Sequence, residues 1–277
     1  MNKYKASQIH LVKRPEGLPD KSHFRKVEIE LAPPASGEIL VKNHFMSVDP
    51  YMRGRMRSEG VYAEPYALNQ PMYGGAVGEI VESNDNDLHV GDLVLNNAAW
   101  QDSFVARADA VSKLEPFDMS RLSLYLGTLG MPGMTAYVGL FRFGEPKKGE
   151  TVFVSAASGA VGANVCQIAK QMGCKVVGSV GSDEKARWLK NNCGVDEVIN
   201  YKTCGDLSSA LAEAAPNGID VYFENVGGEH LQAALNVMNH FGRVVACGMI
   251  GTYNNTNPEP GPNNLMLIVG KKVRING

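Results

Sequence analysis

The chain has 277 residues, a formal net charge of −2 and 44% apolar side chains. That is length for two domains, with no charge excess to draw nucleic acid or an acidic membrane surface. The start, "MNKYKASQIHLVKRPEG", lacks the apolar stretch of a signal peptide, and no run approaches the roughly 18 apolar residues of a spanning helix.

In chain order, the first half reads as short strands. "EILVKNHFMSV", "AVGEIVE" and "GDLVLNN" are β segments broken by Gly, Pro and Asn clusters. No long amphipathic helix precedes about residue 120. A boundary is expected near "LGTLGMPGMTAY", giving domains 1–124 and 125–277. From there strand and helix alternate: "TVFVSA", then helical "GANVCQIAKQMG"; "KVVGSV", then "DEKARWLKNNCG" closed by a glycine; "GIDVYFENV", then "GEHLQAALNVMNHFG"; "RVVACGMI"; and a sixth strand in "KKVRING". This grammar predicts an α/β fold with a parallel sheet covered on both faces. The five cysteines, Cys166, Cys174, Cys193, Cys204 and Cys247, contain no CxxC pair and follow neither a disulfide framework nor a zinc spacing. A soluble, cytoplasmic protein with reduced thiols is expected.

The stretch "TVFVSAASGAVGANVCQIAKQMG" runs strand, tight loop, helix. A helix N-terminus offers free N–H groups and partial positive charge, and a diphosphate docks there when glycine lets the backbone come close. Gly159 permits that approach and Gly162 permits close helix–strand packing, while Ala157 stands where a first glycine is usual. The acid that grips the adenine ribose should close the second strand. Val180, Gly181 and Ser182 stand there instead, with Lys185 a helical turn on and Tyr201 after the third strand. Room plus a cation suits a 2′-phosphate, so NADP is expected rather than NAD. Asp183 and Glu184 read as favourable charges in a helix first turn.

These residues sit in "SVDPYMRGRM", "GMPGMTAYVGL", "AASGAVG", "VGSDEK", "INYK", "FENVGG" and "CGMIGTYN". With them the chain resembles the zinc-independent branch of the medium-chain dehydrogenase/reductase superfamily, and within it the NADPH-dependent alkenal/one oxidoreductases. The resemblance implies a GroES-like, β-rich catalytic domain joined to a doubly wound Rossmann domain. It implies that Gly159, Ala160, Val161 and Gly162 hold the diphosphate, and that Lys185 and Tyr201 hold the 2′-phosphate. Asn225, the run Cys247, Gly248, Met249, Ile250, Gly251, Thr252 and Tyr253, and Met131 would border the nicotinamide. It also implies a further C-terminal segment, so the catalytic domain is expected to be C-terminally incomplete here. A homodimer formed at the sixth strand, through "LIVGKKVRING", is a further expectation.

Zinc members need a catalytic cysteine and a "GHE" histidine. "YGGAVGEIVE" has no histidine where that stretch would fall, and the first half has no cysteine. His10, His23, His44 and His89 are scattered, short of the three ligands of an open site. No metal is expected, and without a Lewis acid simple alcohol oxidation is disfavoured. The chemistry left is hydride transfer from NADPH to the β-carbon of an enone or enal, with a donor for the enolate oxygen and a proton for the α-carbon. Tyr253, Tyr62 and Tyr51 are the candidate hydroxyls, Tyr253 best supported by the resemblance. Packing is the competing role for each. Arg53, Arg55 and Arg57 read as loop arginines pairing with local carboxylates, and Cys247 as a small buried hydrophobe. Quinone reduction and a nucleotide-binding, crystallin-like or regulatory protein without turnover are the alternatives.

Overall fold

The computed structural model describes residues 4–59, 63–115, 118–257 and 260–277. They form two compact units, Met1–Gly127 and Thr128–Gly277.

In the first unit β1 (Tyr4–Leu11) pairs antiparallel with β2 (Phe24–Leu31). Then follow β3 (Glu38–Met46), the short α1 (Tyr51–Arg55), β4 (Ala76–Ser83), β5 (Leu93–Asn96), β6 (Ser103–Arg107) and β7 (Ser112–Leu114). The last five strands make an antiparallel sheet in the order β6-β3-β4-β5-β7. Ile39, Val41, Ile80, Val94 and Phe104 fill one core, and Leu11, Met52, Met56, Tyr66 and Met72 another that seats α1.

The second unit opens with α2 (Met131–Val138) and continues β8 (Thr151–Val154), α3 (Ala160–Gln171), β9 (Lys175–Val180), α4 (Asp183–Cys193), β10 (Glu197–Asn200), α5 (Leu207–Ala214), β11 (Ile219–Glu224), α6 (Glu229–Val237), β12 (Met238–Ala246), α7 (Met266–Lys271) and β13 (Arg274–Asn276). Its six strands are all parallel, in the order β10-β9-β8-β11-β12-β13. Neighbouring residues of β8 feed opposite faces: Val152 and Val154 pack with Val165, Cys166 and Leu189, and Phe153 with Leu211, Tyr222 and Ala234. Burial on both faces is why these strands read as unbroken apolar runs. Counted within the unit, the order is 3-2-1-4-5-6, the Rossmann arrangement, and it reverses between β8 and β11.

Gly194 ends α4 in the left-handed conformation expected of a closing glycine. The helix expected through "GEHLQAALNVMNHFG" stops earlier, at Val237, and Met238 already belongs to β12. Met238 is buried in the core opposite Ile219, and Phe241 sits at φ 62° where the strand register breaks. Three helices, α1, α5 and α7, do not follow from the sequence reading, and α1 puts Arg53 and Arg55 on a helix rather than a loop; α5 is two turns long and capped by Asp206, whose carboxylate accepts the Ser209 N–H at 2.7 Å. Among the described residues no helix is long and apolar enough to cross a membrane.

Candidate functional site

The site is built from the loops that leave the C-terminal ends of β8, β9, β11 and β12, at the crevice where the strand order reverses. After β8 the chain turns at Ser155. Ala156 takes φ 46°, a left-handed conformation costing a non-glycine residue roughly 1–2 kcal/mol. Its carbonyl accepts the Gly159 N–H at 2.9 Å, and the Ala157 N–H donates to Ser179 O at 3.0 Å. Gly159 is the N-cap of α3 and supplies no side-chain cap, so the first-turn N–H groups at Ala160, Val161 and Gly162 are left for another acceptor. A Cβ at Gly162 would lie 2.4 Å from Ala156 O and 2.8 Å from Ala157 Cα. Helix and loop touch only because this residue is glycine. Ala157, in the place of the usual first glycine, is fully buried, and room for its methyl comes from Gly178 of β9, where a Cβ would sit 2.9 Å away.

At the end of β9 no acid meets the crevice. A Cβ at Gly181 would lie 2.8 Å from the Tyr201 hydroxyl and 3.3 Å from Lys202 Cε. The phenol therefore occupies the space an acidic side chain would need. Ser182 caps α4 by accepting the Lys185 N–H at 3.3 Å, which places Lys185 in the exposed first turn beside this corner. Asp183 accepts a hydrogen bond from Asn200 Nδ2 at 2.7 Å, so its carboxylate is tied down locally. Hydroxyl, lysines and helix N-terminus together fit a 2′-phosphate. Lys202 was missed at the level of sequence; its only signal was its place after Tyr201 in "INYK".

The loops after β11 and β12 are clasped to the first. Glu224 is fully buried, and its Oε1 accepts the N–H groups of Val226 (2.6 Å) and Gly227 (2.8 Å) and the Ser155 hydroxyl (3.1 Å). Ser155 Oγ in turn accepts the Asn225 N–H at 2.9 Å and the Tyr222 hydroxyl at 3.1 Å. Burial, then the neighbouring Glu224 carboxylate, push the Tyr222 phenol well above its ordinary pKa, so it stays a donor. Asn225 Nδ2 donates to Ser155 O at 2.8 Å, and Asn225 O accepts the Ile250 N–H at 3.1 Å. Cys247 and Gly248 both donate to Glu224 O, and Gly251 donates to Val226 O at 3.0 Å. Nothing in the sequence alone singles out Ser155 or Glu224 beyond a lone acid closing an apolar strand.

Gly227, at φ 80°, brings its backbone to Met249: a Cβ there would be 3.1 Å from Met249 Cβ and Cγ. Tyr253 follows the short 3₁₀ turn Ile250–Thr252, and its hydroxyl lies over Gly248, 3.1 Å from where a Cβ would stand. The Asn225–Gly228 loop and the Cys247–Tyr253 run thus converge as one surface. Cys247 is an exposed residue rather than the buried hydrophobe expected. Desolvation of its sulfur and the Glu224 carboxylate still push its thiol up to about 11, so it is no thiolate at neutral pH. Met131 opens α2, half exposed, with its sulfur accepting from the Thr135 hydroxyl at 3.5 Å.

In the first unit Tyr51 packs beside the Leu11–Met52–Tyr66 cluster, its hydroxyl 3.5 Å from the Cβ position of Gly74. Tyr62 lies outside the described residues. Arg53 donates to Gly17 O at 2.8 Å. Arg55 donates to Glu64 O at 2.9 Å and stacks 3.8 Å over the Tyr73 ring. The partners described for Arg53 and Arg55 are thus backbone carbonyls and a ring face. Among the described residues no three His, Cys, Asp or Glu side chains converge as a metal cluster.

A Rossmann unit with an uncapped, glycine-entered helix and an acid-free second strand, joined to a β-rich unit, defines a dinucleotide-binding protein. Residues 7–114 match the family described as N-terminal domain of oxidoreductase, and residues 160–277 the family described as zinc-binding dehydrogenase. The chain is 47% identical to an NADP(+)-dependent 2-alkenal reductase of Nicotiana tabacum, over 98% of this chain and 80% of that protein. It is 42% identical to an NADPH-dependent curcumin reductase of Escherichia coli, over 96% and 78%. A crystal structure of CurA from Vibrio vulnificus in complex with NADPH is similar at a TM-score of 0.92 and 39% identity, over 98% of this chain and 81% of that one. The chain belongs to the medium-chain dehydrogenase/reductase superfamily, in its zinc-independent, NADPH-dependent reductase branch.

Proposed function

We infer that the protein is an NADPH-dependent reductase of the C=C bond of α,β-unsaturated aldehydes and ketones. The observation that carries this reading is the 47% identity, across 98% of the chain, to a protein named a 2-alkenal reductase. The cofactor, when bound, supplies a hydride to the β-carbon of the substrate.

The chain's own residues do the rest. The first-turn N–H groups of Ala160, Val161 and Gly162, entered through Gly159, hold the diphosphate. Lys185 and Tyr201 take the 2′-phosphate, with Lys202 beside them. Asn225, Met131 and the run Cys247–Tyr253 border the nicotinamide. The Tyr253 hydroxyl donates to the substrate carbonyl as it becomes an enolate oxygen, where a donor is worth most; Tyr51 and Tyr62 are the further hydroxyl candidates. In this reading residues 1–124 supply the catalytic domain and 125–277 the NADP-binding domain. The partner is a small enal or enone.

We infer further that the protein is a cytoplasmic homodimer. All five cysteines are free, which suits a reducing compartment. β13 is an outer strand of the six-stranded sheet, and Met266, Val269 and Ile275 around it are exposed. An unpaired apolar edge invites a second copy. The test of function is NADPH oxidation against a panel of 2-alkenals, cyclic enones and quinones. Turnover of the enals and enones well above that of quinones is expected; turnover of quinones alone would reject the reading.

A further inference from the structure

His230 stands in the first turn of α6, on the face turned toward the sheet, and is 5% exposed. Its Nε2 is buried and has no hydrogen-bond partner among the described residues. An imidazole nitrogen left so costs free energy that an apolar side chain at the same place would not. The contact the ring does make is with Tyr201: the ring centroids are 5.1 Å apart and the planes cross at 78°, an edge-on aromatic pair. Tyr201 hydrogen-bonds to the protein through its backbone N–H, to Val180 O at 3.0 Å. Among the described residues its hydroxyl makes no hydrogen bond, and it rests over Gly181. Two surfaces therefore locate this phenol, Gly181 beneath its hydroxyl and His230 against its ring.

We propose that His230 is a positioning residue for cofactor selection: its ring holds the Tyr201 phenol over Gly181, where the hydroxyl is preset to donate to the 2′-phosphate. The proposal rests on the reading of this corner as the 2′-phosphate site. A phenol already held in place loses little freedom when the ligand arrives, and that saving goes only to ligands that carry the phosphate. Without the ring, Tyr201 remains but must be ordered at the moment of binding. The penalty then falls on NADP and spares NAD. His230 touches neither the cofactor's reacting ring nor the substrate in this scheme; it acts through Tyr201.

Titration calorimetry on the full chain tests it, with NADP⁺, NAD⁺ and adenosine 2′,5′-bisphosphate as probes. The variants are His230→Leu, which keeps the volume without the ring, His230→Phe, which keeps an aromatic edge, Tyr201→Phe, and the double variant His230→Leu/Tyr201→Phe. His230→Leu is expected to weaken NADP⁺ and the bisphosphate by about three- to tenfold and to leave NAD⁺ within about twofold. His230→Phe should restore most of the loss. The double variant should bind NADP⁺ no more weakly than Tyr201→Phe alone. Equal weakening of NADP⁺ and NAD⁺ by His230→Leu, or additive losses in the double variant, would overturn the proposal and leave the corner's assignment standing. Unchanged NADP⁺ affinity in Tyr201→Phe would overturn both together.

Discussion

The loop after β8 and the corner after β9 would serve two parts of one cofactor, and they are made differently. At the loop, the atoms that exclude a side chain are backbone: Ala156 O stands 2.4 Å from a Cβ at Gly162. At the corner they are the far ends of side chains, the Tyr201 hydroxyl and Lys202 Cε over Gly181. A backbone-built site cannot yield without moving a strand or helix, whereas a side-chain-built site can be retuned one residue at a time. The first should be intolerant of substitution and indifferent to which dinucleotide binds. The second should be tolerant and selective.

Gly162→Val is the harshest break of this contrast. It should weaken NADPH and NADH alike by more than about 100-fold, and destabilise the fold by about 1–3 kcal/mol through overpacking. Calorimetry and thermal melting read both, and retained binding would show that the loop can give. Lys185→Ala works on the other side of the comparison. Its kcat/KM for NADPH should fall at least about tenfold while that for NADH stays level, the size expected of one charge-assisted pair. A matching loss for NADH would remove the selective role of the corner. Tyr253→Phe lies outside both regions and should lower kcat several-fold with cofactor affinity unchanged; full turnover would reduce its role to packing over Gly248.

The remaining effect is on stability rather than on binding or rate. Desolvation lowers the His230 pKa from 6.5 to about 4, so the folded chain holds this imidazole neutral while the unfolded chain takes up a proton first. Stability should therefore be whole above about pH 6.5 and fall as pH drops through the window down to about 4, by on the order of 1 kcal/mol between pH 6.5 and about 5. Urea melts across that window should slope for the wild type and lie flatter for His230→Leu. Equal slopes would mean that other groups carry the dependence.

The same contrast explains what could be read from the sequence. The alternation of apolar runs and helical segments is local and named the parallel sheet. Gly159 and Gly162 follow from a short strand–loop–helix context, and the absence of an acid at Gly181 is visible by counting. What escaped depends on neighbours distant in the chain. Ser155 and Glu224 meet 69 residues apart because β8 and β11 are adjacent at the reversal of strand order. Ala157 is accommodated by Gly178, a residue of the next strand. Tyr201 and His230 meet across the β10 and α6 ends. The early end of α6 followed from the burial of Met238 against the sheet, a tertiary demand that overrode a helical pattern.

The central claim, reduction of a C=C bond rather than a carbonyl, is tested most directly by following the transferred hydrogen. The protein is given an enone and NADPH carrying deuterium at C4 of the nicotinamide on the transferred face, and the product is examined by NMR. The account predicts a saturated ketone with deuterium on the β-carbon and the solvent's proton on the α-carbon. Deuterium on a carbinol carbon, in an unsaturated alcohol, would contradict it.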